Sequence, residues 1–351
     1  MTMTNTAATA TSTTMHTHTN RIVVDVAADN ALATRLSHPR AEVAAALRVA
    51  IEKGGEIRDR RIRYQEDLDE ARIAKLKWTA AALDLLNALF DNSAVADYCN
   101  DWVGKIFPEY AELKTPKWDK ILLRHLLTMA PGYDWNEDTP WMDPYNTVRA
   151  MSEAADPYRY ILGREVLYEP DARWQYNSGA TALLGAVLKK ATGKPLDQFA
   201  KEALFDPLHI EDFEWSGMIN GEPAAFGGLR LRPRDTAKIG QLVLNGGTWQ
   251  GQRVVPEDWV KQSTKPRFDT SWGGMRYGYQ WWLGTSPFGA GRTVDWIAAL
   301  GHGGQRIFIV PTLDLVVVTN AGLYDDGGQS AIVRSVFEYR VLSAIRDPVQ
   351  Q

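Results

Sequence analysis

The 351-residue sequence contains one cysteine, no long apolar run and no excess of charge of one sign. The single Cys99 cannot form an intramolecular disulfide and has no cysteine neighbour for a metal cluster, so we interpret it as a small buried hydrophobe. No segment approaches the ~18 consecutive apolar residues of a membrane-spanning helix. The 39 basic and 43 acidic residues give a net charge of -4, which provides no basic field for nucleic acid. Neither a membrane nor a nucleic acid is therefore expected as a partner.

The first twenty residues are rich in threonine and lack both the basic start and the apolar stretch of a secretory signal. They predict a disordered tail over residues 1–20 and a cytoplasmic protein. His16 and His18 lie in this tail without further candidate ligands, so no metal site is expected there. The sequence also lacks a Walker loop, G-x-S-x-G and H-E-x-x-H, and no cofactor is implied.

Apolar periodicity predicts a mixed fold. A short strand is indicated over residues 21–26 and helices over 39–53 and about 73–90. After a polar break at residues 91–93, the sequence predicts mainly helices and loops to about residue 220. The later part of the sequence predicts helices over residues 234–245 and 330–345. It also predicts an antiparallel meander with a tight turn at 311–314, whose strands cover 276–283, 293–300, 306–310 and 315–319. The predicted fold class is α/β (α+β), an antiparallel sheet flanked by helices plus a mainly helical inserted domain.

The predicted domain boundaries follow from this change of character along the chain. A discontinuous sheet domain is expected over residues 21–83 and 225–351, and the helical domain over 84–224. The oligomeric state is left open.

A tyrosine motif stands where a loop leads into a buried helix, at residues 173–179 (RWQYNSG) followed by an apolar run over 180–188. The motif puts the Tyr176 phenol and a hydrogen-bonding side chain on one wall of a cleft, an arrangement that suits proton transfer. A phenol normally titrates near ~10, so it acts as a base at neutral pH only if a nearby cation favours the phenolate. Asn177 is predicted to cap the helix, and Ser178 is a candidate donor to substrate.

Five segments occur in an order that resembles the serine β-lactamase-like hydrolases. They are residues 124–129 with 132–135, 176–178, 227–235, 277–282 and 301–305. The resemblance covers roughly residues 72–346 and is strongest to the class C-like esterases and the nylon-oligomer amide hydrolases. It implies a β-lactamase/transpeptidase-like fold and the hydrolysis of a small ester or amide through an acyl-enzyme.

The same resemblance implies a serine nucleophile that opens a helix in S-x-x-K, with the lysine one turn further on. This sequence contains no S-x-x-K. The best register puts Ala74 at the serine position and Lys77 at the lysine position, where its amine would lower the pKa of Tyr176; Lys75 takes that role in a rival register. Three explanations stay open: an engineered replacement of serine by alanine, a natural non-catalytic relative, or a wrong register.

The resemblance implies a K-T-G element on an edge strand, and this chain has Gly301, His302, Gly303 and Gly304 there. His302 is expected at the cleft, and the glycines allow the backbone to approach an oxyanion closely. Loss of the lysine favours neutral esters or amides over β-lactam carboxylates.

Four tryptophans are expected near loops around the cleft, Trp135, Trp141, Trp272 and Trp282, and we single out Trp135 and Trp282 as candidate contacts for an apolar substrate. His125 is expected to pack or to cap a helix. As written, the chain is expected to lack hydrolytic activity, because it has no nucleophile at Ala74. The alternative is a non-catalytic protein of the same fold that binds a ligand or peptide.

Overall fold

The computed structural model describes the backbone of residues 22–28 and residues 103–289, 291–324 and 327–345. Several predictions lie outside this part of the chain: the tail over 1–20, the helices over 39–53 and 73–90, and the side chains of Cys99, Ala74, Lys75 and Lys77. The site residues from Trp135 onward lie within it.

A seven-stranded sheet forms the centre of the described chain, accompanied by two two-stranded sheets. The strands in chain order are β1 (Ile22–Ala28), β2 (Phe213–Trp215), β3 (Leu229–Leu231), β4 (Thr248–Trp249), β5 (Gln252–Arg253), β6 (Phe268–Asp269), β7 (Arg276–Tyr277), β8 (Trp282–Phe288), β9 (Arg292–Gly301), β10 (Gln305–Val310) and β11 (Leu315–Ala321). The large sheet has the order β1-β11-β10-β9-β8-β7-β6. Its pairs are antiparallel except β1 with β11, which run parallel with Ile22 opposite Leu315.

The predicted meander is confirmed, with one correction at its first segment. The strand predicted over residues 276–283 is interrupted, because Gln280 has a φ of 60°, outside the extended region. The Gln280 side chain and backbone N–H each donate to the carbonyl of Leu127 at 3.1 Å, which holds this break against the helical part of the chain. The turn after β10 is confirmed as a tight hairpin, with Asp314 at a φ of 47°.

Helices, joined by loops, form much of the described chain between β1 and β6, and they also follow β11. In chain order they are α1 (Val103–Ile106), α2 (Leu123–Leu127), α3 (Thr147–Glu153), α4 (Pro157–Leu162), α5 (Ser178–Thr192), α6 (Leu196–Ala200), α7 (Pro233–Leu244), α8 (Glu257–Ser263) and α9 (Gln329–Val336). α7 and α9 confirm the helices predicted over 234–245 and 330–345, the latter continuing as tighter and wider turns to Ala344. Within the described residues, no helix has the length and apolar character needed to span a bilayer.

Both faces of the large sheet are covered in the described structure. Alternate residues of a strand point to opposite faces, so Phe308 and its partner Val317 join the main core while Ile307 and Val318 join a second core against α7. Each fully buried side chain of this size stabilises the fold by about 1.5–3 kcal/mol. The helices and the antiparallel sheet confirm the predicted α+β class, whereas the domain boundaries stay a prediction.

Candidate active site

The loop that carries Tyr176 is fixed by the start of α5. Asn177 is the residue before the helix, and its Oδ1 accepts the backbone N–H of Ala180 at 2.8 Å, which confirms the predicted cap. Gly179 lies directly against the Trp135 ring, where an added Cβ would come within 2.5 Å of a ring carbon. The first turn of α5 therefore rests on Trp135, and only glycine permits that approach.

Tyr176 belongs to an aromatic cluster formed by Trp174, Tyr176, Trp272, Tyr277 and Trp282. Its ring is stacked on Trp282 with centroids 5.7 Å apart and lies 5.6 Å from Trp272. Trp282 is 2% exposed and Trp272 is 39% exposed, so Trp272 forms the outer wall of the cluster. These packed rings fix the position of the tyrosine at the junction between α5 and β8.

Glu137 is a residue of this site that sequence reasoning missed. One of its carboxylate oxygens accepts the Trp135 Nε1–H at 2.8 Å and the Ser178 backbone N–H at 3.0 Å. The other oxygen accepts the Ser178 hydroxyl at 3.1 Å. No local pattern predicts this pairing, because the acid lies in a loop 41 residues before the serine that it contacts.

The described surroundings of Tyr176 act against ionisation of its phenol. Burial, and then the negative charge of Glu137, raise the pKa of Tyr176 to about 12. The phenol is therefore protonated at neutral pH in these surroundings. A lowered phenol pKa was predicted from Lys77, which lies outside the described residues, so the base role of Tyr176 stays a prediction that depends on that lysine.

Two predicted contact residues turn inward to support the site. Trp135 is 2% exposed, beneath the first turn of α5, with its indole N–H engaged by Glu137. The Ser178 hydroxyl donates to the same carboxylate. Direct contacts of Trp135, Ser178 and Trp282 with a substrate stay predictions.

The glycine segment forms a hydrogen-bonded turn between β9 and β10. Gly303 and Gly304 have φ angles of 79° and 90°, the left-handed region that favours glycine. The Gly303 N–H donates to Gln329 Oε1 at 2.6 Å, and the buried Arg306 guanidinium donates to the Gly301 carbonyl. An oxyanion donor from this segment would therefore be a different N–H from that of Gly303.

His302 stands on the exposed side of this turn. Its ring centroid is 5.6 Å from that of Tyr324, and its Nδ1 is 3.5 Å from Gln329 Nε2. A catalytic or oxyanion role for His302 and the glycines stays a prediction.

The sheet register relates the tyrosine to the glycine turn. Trp282, which stacks on Tyr176, begins β8 and pairs with Ala298 of β9. Gly301 ends β9 three residues further on, roughly 10 Å along an extended strand. The Tyr176 cluster and residues 301–304 thus lie at the same end of the sheet.

His125 is confirmed as a capping residue. Its Nδ1 accepts the Leu122 backbone N–H at 3.0 Å at the start of α2, and its Nε2 lies 3.2 Å from the Asp171 carboxylate. Within the described ranges, no three or more His, Cys, Asp or Glu side chains are grouped so as to hold a metal ion.

Known proteins resemble this chain in sequence and in fold. The family model described as Beta-lactamase matches residues 78–322, a range that includes Tyr176 and the glycine turn and begins one residue after Lys77. The 6-aminohexanoate-dimer hydrolase of Paenarthrobacter ureafaciens is 25% identical over 248 residues, which are 61% of this chain and 59% of that protein. The lovastatin esterase of Penicillium rubens is 26% identical over 137 residues, or 38% of this chain and 34% of the esterase.

The match therefore spans 59% of the first of these relatives and 34% of the second. Among solved structures, the D-stereospecific amidohydrolase from Streptomyces sp. superposes with a TM-score of 0.53 at 17% identity, covering 75% of this chain and 84% of that one. This likeness shows the shared fold.

Proposed function

The chain belongs to the beta-lactamase family, and from this membership we propose that it is a hydrolase-type protein whose substrates are small esters or amides. Support comes from two relatives whose names describe an amide hydrolase and an esterase. The segment over residues 301–304 offers histidine and glycine in place of the family lysine that attracts a carboxylate. Neutral substrates therefore suit it better than β-lactams.

The observation that carries the proposal is the position of the Tyr176 phenol. It stands at the start of α5 against Trp282, at the end of the sheet where the turn over residues 302–304 lies. A nucleophile, a proton-transfer group and an oxyanion donor must all reach one carbonyl carbon, and segments that meet at one end of a sheet can do so.

The chemistry that we propose proceeds through an acyl-enzyme. In a parent with serine at position 74, the hydroxyl oxygen bonds to the substrate carbonyl carbon while its proton passes to Lys77, or to Tyr176 where that lysine holds the phenol as phenolate. The bond to the leaving alcohol or amine then breaks as that group takes up the proton. Water attacks the acyl carbon in the same manner, which releases the acid and restores the hydroxyl.

The chain as written has Ala74 at the proposed nucleophile position, so binding without turnover is the expected behaviour. Uniform binding of a substrate does not require the nucleophile. The second candidate function, a non-catalytic binding protein, differs from a disabled enzyme in one respect. Restoring a hydroxyl would create activity in the disabled enzyme and not in the binding protein.

Hydrolysis of p-nitrophenyl butyrate by the unsubstituted chain, A74S and A74S/Y176F tests the proposal. We expect saturable release of p-nitrophenol from A74S alone, and a loss of about 10²–10⁴-fold when Tyr176 is also replaced, the usual contribution of a positioned proton-transfer group. No turnover by folded A74S would leave the binding function. Efficient turnover by the unsubstituted chain would overturn the assignment of position 74 and make S178A the next variant to assay.

A further inference from the structure

Three donors converge on one carboxylate beside Tyr176. Glu137 accepts hydrogen bonds from the Trp135 indole, the Ser178 backbone N–H and the Ser178 hydroxyl, at 2.8, 3.0 and 3.1 Å. A solvated surface carboxylate can be hydrogen-bonded by water, whereas this partly buried carboxylate takes its hydrogen bonds from three protein donors.

We propose that Glu137 is a positioning residue of the site, which joins Trp135 to the first turn of α5 and holds Tyr176 at the cleft as a hydrogen-bond donor. The inference rests on the proposed function for its catalytic meaning. Its evidence is the geometry of the described residues, and its test uses no substrate.

Glu137 accepts a backbone hydrogen bond at the start of α5. Ser178 is the first residue of α5, and its N–H is one of the helix donors that have no partner inside the helix. A carboxylate at a helix N-terminus is also favoured by the helix dipole. Glu137 thus holds the start of α5, two residues after Tyr176, and ties it to the ring on which Gly179 rests.

The charge of Glu137 acts on the neighbouring phenols. Burial raises the pKa of Glu137, and the charge of Asp138 acts in the same direction, whereas the three donated hydrogen bonds lower it. After burial, the Glu137 charge raises the pKa of Tyr176, and after burial and Tyr176 it raises the pKa of Tyr277. An anion beside the phenol disfavours phenolate, so the hydroxyl keeps its proton and is able to donate it.

Gln is the informative replacement at position 137 because it separates charge from shape. Its carbonyl oxygen can accept from the indole and from the Ser178 N–H, and its amide N–H can donate to the Ser178 oxygen. E137Q therefore keeps the contacts and removes the negative charge. S178A is the matched control, since it removes one of the donors and keeps the charge.

The experiment follows the Tyr176 phenol by NMR in protein labelled with ¹³Cζ-tyrosine, with Y176F to assign the resonance. At a pH of about 11, a phenol with a pKa of about 12 is about one-tenth ionised. In E137Q the midpoint should fall, because the charge that raises it is gone, and the ionised fraction at this pH should rise. Tyr176 in S178A should titrate as it does in the unsubstituted protein. Circular dichroism at the same pH should confirm that each variant is folded.

The unsubstituted protein provides a second measurement if E137Q does not fold. Its Tyr176 resonance should shift as Glu137 takes up a proton, with a midpoint above the ordinary glutamate pKa of 4.5. An unchanged titration in folded E137Q, or no acid shift of the Tyr176 resonance, would overturn the proposal. Either result would leave the hydrolysis assay on A74S unaffected, so failure of the two proposals can be told apart.

Discussion

The rings of Tyr176 and Trp282 are stacked, with an interplanar angle of 28° and centroids 5.7 Å apart. Tyr176 precedes α5, and Trp282 begins β8 in the large sheet. The contact therefore joins the helical part of the chain to the sheet at the candidate site. The stability of the protein should depend on the buried Trp282 ring much more than on the outer Trp272 ring.

Trp282→Ala should lower the free energy of unfolding by about 3–5 kcal/mol, the usual cost of removing a large buried aromatic side chain. Trp272→Ala is the matched control, because Trp272 is 39% exposed whereas Trp282 is 2% exposed. Urea denaturation followed by circular dichroism would measure both losses. Equal losses for the two variants would contradict the assignment of Trp282 as the structural wall of the site.

The charge on Glu137 predicts that the difference in stability between E137Q and the unsubstituted protein depends on pH. Burial raises the pKa of Glu137 in the folded state above its ordinary value of 4.5, so the folded protein holds this proton more tightly than the unfolded chain. The stability that this proton contributes is present below the unfolded pKa and is lost as pH rises through the folded pKa. E137Q has no such proton to lose.

We therefore expect the unfolding free energy of E137Q, relative to that of the unsubstituted protein, to increase between about pH 4 and about pH 7. Denaturation curves at several pH values would measure this difference, with S178A as a variant that retains the acid. A relative decrease over the same interval would mean that folding lowers the Glu137 pKa.

The glycine turn predicts a contrast between two neighbouring positions. Gly303 has a φ of 79°, and an added Cβ would meet the Tyr324 ring at 2.5 Å. Gly301 has a φ of -110°, and an added Cβ would lie 3.1 Å from Gln305 Cβ. Because the left-handed region costs an L-residue about 1–2 kcal/mol, Gly303→Ala should destabilise more than Gly301→Ala.

Thermal denaturation of Gly303→Ala and Gly301→Ala tests this contrast directly. The double variant Gly303→Ala/Tyr324→Ala should recover only the part of the loss that is due to the ring contact. Equal stability of the two single variants would show that the backbone at Gly303 does not require its left-handed conformation.

Local patterns predicted the elements whose side chains and turns are determined nearby. Runs of β-branched residues predicted β10 and β11, and the polar residue before an apolar run predicted the Asn177 cap of α5. The break at Gln280 was missed because its positive φ is stabilised by a hydrogen bond to Leu127, which is distant in sequence.

The tyrosine motif could be found from sequence, but its electrostatic setting could not. The motif is local, whereas the acid that faces it lies in another loop and contacts Ser178 across 41 residues. The motif alone predicts a cation beside Tyr176, whereas the described structure has burial and an anion there, both of which raise the pKa of Tyr176. The predicted cation, Lys77, lies outside the described residues.

If position 74 is the nucleophile position, a serine placed there becomes acylated, and peptide-mapping mass spectrometry of A74S after reaction with p-nitrophenyl butyrate detects the adduct. We expect a butyryl group on the A74S peptide that contains position 74, and none on that peptide in the unsubstituted chain. An unmodified position 74 in folded A74S, or a butyryl group on Ser178 instead, would contradict it.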